Sequence, residues 1–203
     1  GEVYKVKPGN SKYVDVNKDG VYNDADQGII GCGQPTFNWG WNNTFNYKNF
    51  DFSFFVVGFH GFDIYNATHQ MGYNLIKSQQ MAGVTPMREL LNRWTPTNTN
   101  TDIPGFVKGG TENKDFFSTR FVENGSFIKM KSITLGYTLP EATCRSLGIN
   151  NLRVYASVQN PFHITKYSGL DPEATMGSPL VQGVDWGAYP NSRNYLIGLN
   201  FSF

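Results

Sequence analysis

The chain has 203 residues, of which 15% are aromatic, 22 are Gly and only 16% are charged, against roughly 25% charged residues in an ordinary soluble domain. Its net charge is +1 with no basic block, so it lacks the electrostatic footprint of a nucleic-acid binder. Its apolar stretches fall far short of the roughly 18 residues of a membrane helix, which excludes helical spans but not a barrel, whose alternating strands look polar on average.

The chain opens Gly1-Glu2-Val3-Tyr4, which is not a signal peptide; the expectation is that the true N-terminus lies upstream. The first feature is a loop from Asp15 to Asp26 with the spacing of an EF-hand calcium turn. Calcium takes six to eight oxygens, and carboxylates and amides at alternate positions of a curled loop supply them. Asp15, Asn17 and Asp19 are placed to give side-chain oxygens, Val21 a backbone carbonyl, and Asn23 an oxygen directly or through water. Gly20 permits the sharp turn, and Asp26 stands where sensor loops carry Glu, as in dockerin-like loops. No helical pattern flanks the loop. The spacing therefore predicts an ion-stapled turn rather than a switch, set against a metal-free Asx-rich turn.

Five segments then alternate strictly. In the first, from Thr36 to Tyr47, Phe37, Trp39, Trp41, Asn43, Phe45 and Tyr47 oppose Thr36, Asn38, Gly40, Asn42, Thr44 and Asn46. Lys48-Asn49 reverses the chain, and Phe50, Phe52, Phe54 and Val56 follow against Asp51 and Ser53. Between Met71 and Trp94 a helix is predicted, because Met87, Leu90, Leu91 and Trp94 fall at helical spacing. A third strand runs from about Phe127 to Leu139, with Ile133, Leu135, Tyr137 and Leu139 on one side and Ser132, Thr134, Gly136 and Thr138 on the other. The fourth sets Leu152, Val154, Ala156 and Val158 against Arg153, Tyr155, Ser157 and Gln159. Tyr195, Ile197, Leu199, Phe201 and Phe203 form the last.

A soluble sandwich would carry Lys and Glu on its outer face. Here the polar face is mostly Asn, Ser, Thr and Gly, and the apolar face is rich in aromatics. That chemistry fits lipid outside and a wet or plugged lumen inside, since only a closed barrel satisfies strand backbones in hydrocarbon. The strands also have roughly the 9–11 residues that a tilted membrane strand needs. Their connections alternate: Lys48-Asn49 and Pro140 to Asn151 are short, while Gly61–Asn124 and Pro161–Arg193 are long. Outer-membrane barrels have short periplasmic turns and long extracellular loops. With the last strand reaching the periplasmic rim, both long connections and the segment before Thr36 fall outside the cell. The expected class is thus all-β: about five long antiparallel strands forming the C-terminal segment of a large transmembrane β-barrel. Residues 1–35 are expected to form an extracellular loop with the calcium turn, and residues 36–203 the strands and their loops.

Other residues carry less. Cys32 and Cys144 have no metal-ligand spacing, and the sequence leaves their pairing open. His60, His69 and His163 are isolated and expected at the surface or in loops. Asp171-Pro172-Glu173 has no nucleophile or positioning histidine beside it, so nothing argues for catalysis. Tyr167, Trp186 and Tyr189 on the last long connection could stack on sugar rings or pack within their loop.

Several segments together resemble the C-terminal region of SusC/RagA-type TonB-dependent transporters. They are Asp19-Gly20 with Ile29-Ile30-Gly31, FNWGWNNTFNYKNFDFSFFVVGFHGFDIYNAT, RWTPTNTNTDIP, RFVENGSFIKMKSITLGYTLP, LRVYASVQNPFHITKYSGLDPE and the ending NYLIGLNFSF. The resemblance implies a bacterial outer-membrane barrel of about 22 strands with a plugged lumen. It also implies a SusD-like surface lipoprotein as partner, energy from the TonB complex through segments outside these residues, and glycan oligomers or peptides as cargo. Gly198, Phe201 and Phe203 match the terminal pattern read by the barrel-assembly machinery, although Leu196 stands where a polar residue is usual. A secreted calcium-binding carbohydrate-binding or adhesion module is the alternative; it predicts aromatic faces packed inside. A glycan-cleaving enzyme would need paired carboxylates across a cleft, and the strands carry almost no acids.

Overall fold

The computed structural model describes residues 7–21, 23–73, 86–105, 117–175 and 181–203. The chain gathers into two compact units, one of residues 1–31, 65–122 and 185–187, the other of residues 32–64, 123–184 and 188–203.

The second unit is built on a five-stranded antiparallel sheet. Its strands are β1 (Phe37–Tyr47), β2 (Phe50–His60), β5 (Phe127–Thr138), β6 (Asn151–Thr165) and β8 (Asn194–Ser202), in the order β1-β2-β5-β6-β8. Three short strands, β3 (Asp63–Asn66), β4 (Val122–Asn124) and β7 (Val184–Asp185), make a separate sheet in the order β4-β3-β7. Each long strand forms where side chains alternate between two chemistries, because successive residues of a strand point to opposite faces.

Register aligns those chemistries across the whole sheet. Phe45, Phe52, Leu135, Ala156 and Ile197 stand opposite one another in turn, and so share one face. The next row, Thr44, Ser53, Thr134, Ser157 and Leu196, lies on the other. A slip of one residue would exchange the faces, so the pattern pins the register. On the apolar face Trp41 meets Phe54 edge-on at 5.2 Å, and Phe50 lies 4.6 Å from Tyr137 between ring centroids.

Both short connections lie at one end of the sheet. Lys48-Asn49 turns tightly with Lys48 in the left-handed region, at φ 52°. Between β5 and β6 runs a short helix, α2 (Glu141–Ser146), ended by Gly148 at φ 71°, where only glycine is free of strain. The alternation therefore holds in the structure.

Strand β6 is longer than the alternation suggested, since Asn160-Pro161 reads as a break. Instead, Met130 pairs with Phe162 and Ser132 with Gln159, which leaves a bulge around Lys131. Asn160 takes a left-handed conformation, φ 50°, which Asn tolerates. Strand β8 pairs with β6 only as far as Gln159, so the N–H that Pro161 lacks is not needed by a ladder on that side.

The core of this unit lies on the polar face, at the end with the long connections. Val57, Phe62, Ile64, Phe127 and Tyr167 are buried together, with Phe59 against them. Phe127 stacks on Phe59 at 5.1 Å and meets Phe62 edge-on at 6.3 Å.

In the first unit the helix expected within Met71–Trp94 is only partly as predicted. Helix α1 (Ala67–Tyr73) starts earlier, and residues 74–85 lie outside the described residues. Met87, Leu90, Leu91 and Trp94 do not share a helical face. Arg88–Asn92 is a short 3-10 stretch flanked by extended Met87 and Arg93, with Leu90 buried and Leu91 79% exposed. Pro96 closes the stretch on its C-terminal side, because a proline cannot continue a helical hydrogen-bond ladder and biases the residue before it away from helix.

Candidate functional site

The wall itself is the first candidate, and two side-chain groups on its polar face give it shape. Near the short turns, Asp51, Gly136, Tyr155 and Gly198 form one row across β2, β5, β6 and β8. Because Gly136 has no side chain, Asp51 and Arg153 meet over strand β5, with Arg153 Nε donating to Asp51 Oδ1 at 2.9 Å and its Nη2 to Oδ2. A Cβ at Gly136 would strike both groups. The guanidinium also lies 5.0 Å above the Tyr155 ring, a cation–π contact. Tyr155 in turn covers Gly198. The middle of the face is neutral, with Thr134 and Ser157 hydroxyls 2.8 Å apart.

Near the long connections the face carries a buried charge cluster. Lys129 on β5 is 2% exposed and Asp171 4%. Lys129 Nζ donates to Asp171 Oδ2 at 2.9 Å and to Glu173 Oε2 at 2.7 Å, and Lys131 Nζ reaches Glu173 Oε1. Asn191, from the far side of the same long connection, donates its backbone N–H to Asp171 at 3.2 Å and its amide to Glu173 at 3.0 Å. Burial pushes both carboxyls up, but the Lys129 ammonium, the N–H groups of Asn191 and Glu173 at Asp171, and Lys131 at Glu173 outweigh it and hold both below their ordinary values. Asp171-Pro172-Glu173 is thus no idle loop pair. The signal available in the sequence was two lysines in a strand otherwise almost free of charge; their partners lie more than forty residues on.

In the first unit, the described residues of the Asp15–Asp26 loop curl around Asp15, through bonds that a metal-free Asx-rich turn also makes. Asp15 accepts backbone N–H groups from Lys18 at 2.6 Å, Asp19 at 3.2 Å and Gly20 at 2.8 Å. Asn17 accepts from Asp19 at 3.0 Å and Asp19 from Val21 at 2.8 Å. Lys18 and Gly20 take positive φ, 62° and 80°. Asp26 is buried in a 3-10 turn, where Oδ1 accepts from Val16 and Oδ2 from Asn23, both at 2.8 Å. The Asn23 N–H leads in lowering its pKa. Among the described residues no three His, Cys, Asp or Glu side chains are grouped to hold a metal by themselves. A cation here would also draw on the Asn17 and Asn23 amides and the Val21 carbonyl.

The remaining residues singled out from the sequence fall as follows. Gly198 sits beneath Tyr155, and Phe201 meets Phe203 edge-on at 5.4 Å. Tyr167 is buried in the core beside Gly169, so it cannot stack on cargo, whereas Trp186 and Tyr189 are exposed. None of the histidines is in an open loop: His60 ends β2 and accepts the Trp39 indole N–H at 3.1 Å, His69 lies in α1, and His163 lies in β6 opposite Lys129. Cys32 is exposed, Cys144 is buried, and both are free thiols. Sequence reasoning missed a cluster in the first unit, where Glu89 accepts from the Tyr73 hydroxyl and lies 3.5 Å from His69 Nε2. Burial first, then Glu89, pushes the Tyr73 phenol up to about 12.

The apolar face stays uncovered along β1 and β8, with Ile197 81% exposed, which is not the packed interior of a secreted module. An aromatic outer face, a polar inner face whose charges are paired, and connections that alternate in length define a sector of an outer-membrane β-barrel. Known proteins agree. TonB-dependent receptor P3 of Formosa agariphila is 36% identical over 97% of the chain and 19% of its own length. TonB-dependent receptor SusC of Bacteroides thetaiotaomicron is 32% identical over 97% of the chain and 18% of its own length. The solved RagAB peptide importer in its closed-closed state superposes with TM-score 0.73 at 27% identity, over 96% of this chain and 21% of that one. No family model matches. The chain belongs to the SusC/RagA type of TonB-dependent outer-membrane receptors and forms part of their barrel. It spans about a fifth of the length of the curated relatives it matches, and its kin are transporters, not enzymes.

Proposed function

We propose that the protein containing this chain imports nutrients across the outer membrane in a TonB-dependent way, receiving glycan oligomers or peptides from a SusD-like surface lipoprotein. The observation that carries this reading is similarity along nearly the whole chain to TonB-dependent receptors and to a peptide importer. The inner face supports it: its side-chain amides and hydroxyls donate and accept hydrogen bonds without charge, and its charged groups Asp51, Arg153, Lys129 and Lys131 are paired. Deleting the gene and feeding labelled oligosaccharides and peptides as sole nutrients tests it. Loss of uptake of one class, mimicked in the parent strain by a protonophore, is expected; unchanged uptake of every class would contradict it.

We further propose that the Asp15–Asp26 loop binds calcium as a structural staple. The support is its donor set and its curl around Asp15. Calcium should raise the heat stability of the full-length protein beyond an ionic-strength control, and Asp15→Asn should abolish the gain; equal stability with and without calcium would refute it. Gly198, Phe201 and Phe203 are likewise proposed as the segment read at barrel assembly. Phe203→Ala should then reduce the folded barrel in the membrane, and normal assembly of that variant would refute this.

A further inference from the structure

The connection between β6 and β8 leaves the wall at Thr165 and returns at Asn194. Asp171 and Glu173 stand near its outgoing end and Asn191 near its returning end, and all three converge on one side chain. Lys129 Nζ bonds both carboxylates, and Asn191 bonds the same two. The bulge around Lys131 adds a second ammonium on Glu173. Beneath this cluster, Tyr167 is buried with Phe127 and Val57 of the strands. A lysine almost wholly buried on a strand is costly unless paired, and among the described residues both of its acidic partners come from this loop. Among the described residues Asp171 is paired with Lys129 alone, because Lys131 reaches only Glu173.

We propose that Lys129 is a positioning residue that staples both ends of the β6–β8 connection to the inner face of the barrel wall, so that residues 167–173 and 188–193 form a rooted arm. The arm carries the exposed Tyr189, so the staple sets where an aromatic side chain is held relative to the lumen. That consequence rests on the transporter reading; the staple itself does not. The charge of the lysine matters more than its bulk. An arginine keeps the charge and can bridge two carboxylates, whereas methionine keeps the length and loses the bonds.

The test is hydrogen exchange by mass spectrometry on the full-length protein in detergent, comparing wild type, Lys129→Met and Lys129→Arg. In Lys129→Met, peptides covering residues 167–173 and 188–193 should exchange at least tenfold faster, while peptides from β5, β6 and β8 keep their rates. Lys129→Arg should restore most of the protection. Unchanged exchange in both loop segments would overturn the proposal, and so would uniform acceleration across the strands, which would make Lys129 a support of the wall. If Lys129→Met does not assemble, Glu173→Gln carries the same test, since Glu173 is partly exposed and its loss frees one arm of the cluster. Failure of uptake with normal loop protection would count against the transport reading and leave the staple standing.

Discussion

The two ends of one sheet are held by different physics. At the end with the short turns, order comes from what is missing: Gly136 lets Asp51 and Arg153 meet across an intervening strand, and Gly198 lets Tyr155 lie flat. At the end with the long connections, order comes from what is added. Phe62, Ile64 and Tyr167 pack on Phe127 and Val57, and two carboxylates close over Lys129. A barrel wall between lipid and lumen has little interior of its own, so it gains a conventional core only where a loop folds back onto it.

Breaking that core should cost most. Phe127→Ala removes a side chain 2% exposed and stacked on Phe59, with an expected loss of about 3–5 kcal/mol of unfolding free energy, read from urea unfolding of the reconstituted barrel. Next comes the outer face. Ile197→Arg, near the middle of β8, should cost about 2–4 kcal/mol if that face meets lipid, and a neutral result would mean that it does not. Gly136→Ala forces Asp51 and Arg153 apart at the other end; about 1–3 kcal/mol is expected, with Asp51→Asn in the same background showing less than additive loss. Smallest is Thr134→Ala, which leaves Ser157 one partner short on a wet face, about 0.5–1.5 kcal/mol.

Acid sharpens the comparison in another way. Asp171 and Glu173 are held below their ordinary pKa values by Lys129 and Lys131. Depressed carboxylates contribute stability that is complete above their unfolded values, about 4, and is lost as pH falls through the folded ones. Loop protection, corrected for intrinsic exchange, should therefore hold from pH 7 to 5 and fail only below about pH 4. Loss of protection above pH 5 in a His163→Gln variant, which lacks the imidazole opposite Lys129 on β6, would mean that the carboxylates are not held low.

The wall was legible in the sequence because a period of two exposes both faces at once, and strand ends fell close to where the alternation stopped. β6 escaped at Pro161, since the bulge that tolerates it needs the neighbouring strand to be known. The Asp15–Asp26 curl was legible because its hydrogen bonds are local. Lys129 with Asp171 and Glu173 was not, because the three meet only after the chain has folded back. The Met87–Trp94 spacing misled because a few apolar residues at helical spacing, closed by Pro96, are too short a run to propagate a helix.

The most direct test of the central claim is heat-modifiable migration of the full-length protein in outer-membrane fractions. A closed barrel whose outer face is the aromatic face of β1, β2, β5, β6 and β8 should sediment with the outer membrane and run faster unboiled than boiled. A product found in the soluble fraction, with one mobility under both conditions, would contradict the account.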